Sequence, residues 1–469
     1  SLTLVIIISL IFAILGLYYS KKFQGINNYL TSNRSIGLFS LTTSLVASAL
    51  GAWILFGPAT ASTWGGLGAV IGYSLGTAFP MIFLIYLGKK IRNEFPRGSS
   101  LIEFMRKKFG KSLFKLILLM TIFYMFIFLC AEVTAVAVLI NYISGTELWI
   151  TALIVLFATL SYTLYGGLRA SIFTDNIQMI VIGVLLVVSV SYIISFTENE
   201  FSFAFIEEKN PQLLSSSYIP NYTAGLTFFI AVAATNLFHQ GNWQRVYAAK
   251  DYQTLKKSLI ISFFIIVPIV FFMGFAGMVS FSINPGNRPD LGFFSLLLKE
   301  RSELLSLIIV ILGLALTIST VDTLVNAISS LFVVDGKTTF NLNKKTDYLK
   351  LSKYFIIFLS LIAFIIASKG FDVLYLFLLA DLFCCAFVFT VFYSFYNKGI
   401  NEKTAYISIV VGLLGGFLMF PFPDFSKSLL VGILIPKEMF APFVVQSLLF
   451  LSFIVATFLP VIILKIKRS

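Results

Sequence analysis

The chain has 469 residues, of which 58% are hydrophobic and only 12% charged, and its mean hydropathy is +0.95. A soluble core of this size would need far more polar surface, so the composition specifies an all-α polytopic membrane protein lodged in a lipid bilayer. The formal charge of +13 does not point to nucleic acid, because the basic residues sit in short loops and no soluble basic domain or aromatic–basic module is present.

Apolar runs of about 20 residues, enough to cross about 30 Å of hydrocarbon, recur thirteen times. They lie near 3–20, 37–63, 66–88, 112–143, 148–165, 172–196, 222–244, 257–282, 304–333, 350–368, 373–396, 403–420 and 439–464. The first has no basic residues before it and no small-residue cleavage site after it, so it reads as a span and not as a signal peptide. Lys21 and Lys22 follow it, which puts the N-terminus outside. With that start, 27 of the 34 Lys and Arg fall in alternate, cytoplasmic segments, Arg245 among them, as the positive-inside rule requires. The expectation is a multi-pass protein of the plasma membrane, the inner membrane in a bacterium, with a cytoplasmic C-terminus.

Several spans are irregular. The second reads "SLVASALGAWILFGPATASTWGG", with Gly51, then Gly57-Pro58, then Gly65-Gly66; Pro58 lacks a backbone donor and frees a carbonyl one turn earlier. The seventh carries Gly241 between polar residues, which suggests a second break there. Within it Asn236, His239, Gln240 and Trp243 stand at i, i+3, i+4 and i+7, one helical face. Trp53 from the second span and Tyr73 from the third could line the same cavity. The ninth reads "ISTVDTLVNAISSLFVVDGKT": Leu316, Ser319, Thr320 and Thr323 form one face, and Ser319, Asp322, Asn326 and Ser330 the next.

Four acids lie inside spans, Glu132, Asp175, Asp322 and Asp381, with no Lys or Arg at depth. An intramembrane carboxylate costs about 3 kcal/mol even on lenient scales and faces a cavity or a partner. With no basic partner in the sequence, a bound cation or a proton must neutralise these groups. Cys130, Cys384 and Cys385 read as packing residues.

Nucleotide chemistry is excluded. Gly336-Lys337-Thr338 imitates the end of a phosphate-binding loop, but position 331 is Leu and the strand and helix context is absent. A single His and no clustered Cys offer neither a nucleophile–base pair nor a metal cluster, so the chain is not read as an enzyme. Uphill transport must then use an ion gradient; a channel or passive carrier would need none. Secondary transporters place their sites between helices broken near the midplane, in corresponding positions of two inverted repeats. Five spans separate the starts of the second and the seventh, which fits a five-plus-five core over 37–396. The segment 1–36 then holds the first helix and a linker, and 397–469 two further helices and a short basic tail.

These segments carry a resemblance. "NNYLTSNRSIG", "SLTTSLVASALGAW", "YTLYGGLRASIFTDNIQ", "GNWQRVYAAKD" and the ninth-span stretch above together resemble the solute:sodium symporter family, in the family's order and over most of the chain. The resemblance implies the sodium-coupled amino-acid-transporter fold of about 13 spans, with import of a small organic solute together with Na+ by alternating access. It also implies a sodium site: the carbonyls of Ala47, Leu50 and Leu316, the hydroxyls of Ser319 and Thr320, and Asp175 nearby at the family's Thr-Asp position. Asp322 is a candidate for a second ion. Hard cations take such oxygen ligands. Proton coupling on the same scaffold is the alternative, since carboxylates carry protons equally well.

With no Lys or Arg at depth, an anionic solute would depend on helix-terminal N–H groups. The expected solute is therefore neutral or zwitterionic: urea, an amino acid such as proline, or a polyol. Sugar is disfavoured, because the sugar-binding residues that the resemblance implies for the third span are not matched: Tyr73 and Gly76 stand there in place of polar groups.

Overall fold

The computed structural model describes residues 2–23, 25–286, 288–299, 302–336, 339, 347–397, 399–425, 427–430 and 442–466. Lys337 and Thr338 of the phosphate-loop imitation, Lys398, residues 439–441 of the last apolar run and the end of the basic tail at Lys467 and Arg468 lie outside them.

The described chain is helical. It begins with α1 (Leu2–Lys22), the short α2 (Ile26–Thr31) and α3 (Leu38–Ala49). Then come α4 (Gly57–Glu94), α5 (Leu101–Lys108), α6 (Lys111–Ser144), α7 (Leu148–Thr197) and α8 (Phe203–Lys209). The second half holds α9 (Ile219–Phe238), α10 (Gln240–Ala248), α11 (Tyr252–Ile283), α12 (Gly292–Leu297) and α13 (Glu303–Leu331). It closes with α14 (Tyr348–Ala367), α15 (Val373–Ser394), α16 (Glu402–Met419) and α17 (Pro442–Ile466).

Ten helices among the described residues are long and apolar enough to cross a membrane, against thirteen apolar runs in the sequence. The difference has a physical origin. At 1.5 Å per residue, α4 and α7, with 38 and 50 residues, would be about 57 and 75 Å long if straight. Each contains one glycine outside helical geometry, Gly66 (φ 55°, ψ −153°) and Gly167 (φ 58°, ψ −147°), so each serves more than one apolar run. The second run is split between α3 and the start of α4, and the seventh between α9 and α10.

Helix ends are fixed by side chains that replace the missing intrahelical bonds. Ser100 and Glu103 form a reciprocal capping box at the start of α5. Asp251, Asp347, Asp372 and Asn401 each accept a backbone N–H in the first turn of α11, α14, α15 and α16. On the face that carries the basic loops, Arg92 donates to the carbonyls of Val246 (2.9 Å) and Ala249 (3.0 Å) at the C-terminus of α10. Arg34 reaches Gly98 O at 2.7 Å. Ile36 pairs with the end of α10 through its N–H to Ala248 O and its carbonyl from Lys250 N–H, both 3.0 Å. Arg92 thus places its positive charge at the C-terminus of α10, where the dipole favours it.

The centre of the molecule is α13. Every residue from Leu312 to Leu331 is buried, packed by α6, α7, α3, α10 and α14. A helix enclosed by protein on all sides can carry Ser, Thr, Asn and Asp, provided each meets a partner.

The two redirecting glycines generate a prediction. A Cβ at Gly167 would run into the Tyr29 ring and one at Gly66 into Leu213 O and Asn221, and their φ, ψ region is essentially reserved for glycine at a cost of about 1–3 kcal/mol to other residues. Gly167→Ala and Gly66→Ala are expected to lower the thermal unfolding temperature of the purified protein. Gly183→Ala, at a helical position with nothing within 4 Å, is expected to leave it unchanged or slightly raised. Equal melting of all three variants would remove these glycines from any part in the fold.

Candidate functional site

The backbone ladder of α3 ends where Leu50 N–H meets Val46 O at 3.0 Å. Leu50 (φ −105°, ψ 82°) and Gly51 (φ −84°, ψ −178°) then run outside helical geometry into a 3₁₀ turn at Ala52–Leu55, and Pro58 opens α4. The last carbonyls of a helix have no internal partner; those of Ala47 and Leu50 belong to this interrupted stretch. Gly51 faces α13 so closely that a Cβ would lie 2.9 Å from Thr320 Oγ1. Thr320 donates to Leu316 O at 3.1 Å. Ser48, Ala49 and Thr320 border one narrow space. Gly51 and Thr320 are therefore neighbours, and the Thr320 hydroxyl is bonded to Leu316 O, whereas the Ser319 hydroxyl is turned to Asp175 Oδ1, 2.7 Å away.

Asp175 is where the sequence reading fails. Arg245, counted there as cytoplasmic, has no solvent exposure, and its Nη2 sits 2.8 Å from Asp175 Oδ2. Its guanidinium also reaches Ser44 Oγ (2.7 Å), Thr323 Oγ1 (2.9 Å) and Gly241 O (3.0 Å), and Ser44 donates to Asp175 at 2.6 Å. Loop charges nearby, Lys250 and Lys256, made Arg245 look like part of the loop, but α10 continues past it to Ala248. A buried basic partner does exist, so Asp175 needs no bound cation for its neutralisation. Asp322, the candidate for a second ion, is held by the hydroxyls of Tyr162 (2.5 Å), Ser171 (2.7 Å) and Thr174 (3.0 Å), all from α7.

Beside the α3–α4 interruption lies a small cavity of about 20 Å³. Trp53, Tyr73, Phe128 and Phe377 wall it; Trp53 stacks on Tyr73 at 5.8 Å, and Phe128 meets Phe377 edge-on at 4.7 Å. Ser48, Thr235, Asn236, His239, Thr320 and Asp381 supply its polar groups. Of the expected solute residues, Trp53, Tyr73, Asn236 and His239 line it.

Gln240 and Trp243 do not, because the seventh span breaks at His239 (φ −59°, ψ 108°) and not at Gly241. The single helical face assumed from the spacing is lost at that point. Gln240 instead donates to Ser99 O (2.9 Å), and Trp243 Nε1 to Leu237 O (2.7 Å). Gly241 serves close packing: a Cβ there would meet Thr323 Cγ2 at 2.5 Å and the His239 ring at 2.9 Å.

The residues missed were Thr235, Phe128, Phe377 and, above all, Asp381 as part of the cavity. Asp381 accepts from Thr235 Oγ1 at 2.6 Å and has no Lys or Arg in ion-pairing range among the described residues. Its signal was present in the sequence as an intramembrane carboxylate without a basic partner.

Comparison with known proteins places the chain. The sodium:solute symporter family model matches residues 29–412. The chain is 25% identical to a spermidine transporter of Candida albicans, over 85% of this chain and 76% of that protein. It is 23% identical to mouse sodium/glucose cotransporter 4, with 84% of this chain covered but only 64% of the relative. A sodium/proline symporter of Haemophilus influenzae is 30% identical over 42% of the chain and 40% of its own length. Among solved structures, a Na+-coupled sialic acid symporter in its substrate-bound outward-open state superposes with a TM-score of 0.74 at 17% identity, over 99% of this chain and 96% of the other. A nucleobase-cation-symport-1 family transporter superposes at 0.61 with 14% identity, each chain being 95% covered.

The buried ion pair yields a prediction. Removing one partner of such a pair leaves an uncompensated charge and costs about 3–5 kcal/mol, whereas removing both is far milder. Asp175→Asn and Arg245→Gln are each expected to depress the melting temperature strongly, and the double variant to recover much of the loss. Additive losses in this double-mutant cycle would mean that the two charges do not stabilise each other.

Proposed function

Because the chain belongs to the sodium:solute symporter family, a family of transporters and not of enzymes, with Na+ as co-transported ion, we propose that it imports with Na+ a small organic solute bearing a positively charged nitrogen. The observation that carries this reading is Asp381: a buried carboxylate in an aromatic-walled cavity, bonded to Thr235. An ammonium group satisfies that carboxylate by a charge-assisted hydrogen bond and lies favourably over the faces of Trp53, Tyr73 or Phe377, worth about 0.5–2 kcal/mol per ring contact. A spermidine transporter among the relatives supports the same chemistry. Zwitterions, already expected from the sequence, stay within this class through their ammonium end; urea, polyols and sugars leave Asp381 without a charge partner.

In this reading the ion is held by the carbonyls of Ala47, Leu50 and Leu316 and by the hydroxyls of Ser319 and Thr320. Asp175, neutralised by Arg245, orients Ser319 in place of binding a second ion, and Asp322 is satisfied by α7 in the same way. The positive-inside pattern supports an outer N-terminus.

Two outcomes test it. In proteoliposomes at fixed pH, uptake of an amine such as spermidine or proline is expected to require Na+. Asp381→Asn should weaken solute affinity about tenfold to a hundredfold, the equivalent of a charged hydrogen bond worth about 1.5–3 kcal/mol. Preference for an uncharged sugar or polyol, undisturbed in Asp381→Asn, would overturn the solute assignment. Separately, Ser319→Ala and Thr320→Ala should each raise the Na+ concentration for half-maximal uptake; unchanged sodium dependence in both would overturn the ion site, and uptake driven by a proton gradient without Na+ would favour proton coupling.

A further inference from the structure

We propose that Glu132 gives the sodium site its one carboxylate ligand, through an oxygen that faces the Gly51 turn beside Thr320. The inference rests on the ion site proposed above and adds a residue from a third helix, α6.

Glu132 has no solvent exposure. Its Oε2 accepts the Ala52 N–H at 2.9 Å, at the start of the 3₁₀ turn that follows Gly51. The Trp53 N–H lies near the carboxylate but outside hydrogen-bonding geometry. Its Oε1 is buried with no hydrogen-bond partner, and no Lys or Arg pairs with it among the described residues. A buried charged oxygen without donor or counter-ion costs several kcal/mol, so this position calls for neutralisation by a bound cation or a proton.

Gly51 shows where that cation would sit. A Cβ on Gly51 would collide with Glu132 Oε1 and come within 2.9 Å of Thr320 Oγ1. Oxygens from α6 and α13 therefore converge on the same residue of the interrupted second span. Within α13, Leu316 O accepts the Thr320 hydroxyl at 3.1 Å. Without Glu132 every proposed ligand is neutral, because the Asp175 charge beside Ser319 is consumed by Arg245. With it, the site combines one anionic and several neutral oxygens, a donor set that suits a hard monovalent cation.

The competing role is structural: Glu132 could do no more than cap the Ala52 N–H. Glu132→Gln separates the two, since a glutamine oxygen still accepts that N–H while the charge is gone. The full chain, purified in choline chloride, is titrated with Na+ without solute, and binding is read from tryptophan fluorescence and from the sodium-induced shift in melting temperature. Glu132→Gln is expected to melt near the parent without Na+ and to need at least about tenfold more Na+ for half-saturation, with Thr320→Ala shifted in the same direction. If Thr320→Ala shifts and Glu132→Gln titrates like the parent, Glu132 is a cap only and the proposal fails while the ion site stands. If neither shifts, the ion site itself is misplaced and this proposal falls with it. Should Glu132→Gln not yield folded protein, Glu132→Asp decides: the shortened side chain must raise the half-saturating Na+ or alter the preference between Li+ and Na+, and a parent-like titration overturns the assignment.

Discussion

The buried pair between Arg245 and Asp175 fixes the geometry on which the candidate site depends. Around its 2.8 Å contact gather Ser44 of α3, Asp175 of α7, Arg245 of α10 and Ser319 and Thr323 of α13. Four helices are tied through one guanidinium, whose planar fork can serve several acceptors at once. The helix that carries Arg245, α10, begins directly after the interruption at His239. The first turn of α10 then repairs it: Asn242 Nδ2 donates to Asn236 O (2.9 Å) and Trp243 Nε1 to Leu237 O (2.7 Å), the carbonyls that α9 leaves unpaired at its end.

That pair also sorts the four carboxylates in the spans. Asp175 and Asp322 are met from within, one by a guanidinium and the other by three hydroxyls of α7. Glu132 and Asp381 are not: the first has an oxygen without a partner, and the second a single threonine donor facing the cavity. The fold thus satisfies two acids internally and leaves two others beside open or interrupted structure. This division is the physical basis for assigning the ion and the solute to different carboxylates.

Much of this was legible in the sequence. Hydropathy marked the helices, and the polar residues of 316–330 marked α13, because a span can carry that many only if protein surrounds it. The family resemblance directed attention to Ala47, Leu50, Leu316 and Thr320, of which Thr320 stands against the interrupted second span at Gly51. Arg245 was not. Charge counting places a residue by its neighbours along the chain, and Arg245 is followed within five residues by Lys250, although its side chain turns inward to Asp175. The break at His239 was hidden for a related reason. Neither glycine nor proline occupies that position, and the unwinding is compensated by Asn242 and Trp243 bonding backward, which no local propensity encodes. The helical spacing that grouped Gln240 and Trp243 with Asn236 therefore projected a continuous face where the helix stops.

The proposed ion and solute positions share structure, and this bears on coupling. Thr320 borders the solute cavity and also faces Gly51. The 3₁₀ turn Ala52–Leu55 receives Glu132 on its N–H side and presents the Trp53 ring to the cavity. An ion drawn to Glu132 and Thr320 would act on the same short turn that positions a wall of the solute site, so neither ligand can bind without changing the other's surroundings. Linkage then requires reciprocity: whatever factor Na+ adds to solute affinity, solute must add to Na+ affinity. Coupling in such an arrangement needs no long pathway through the bundle, because a turn of four residues between two carboxylates is already common to both sites.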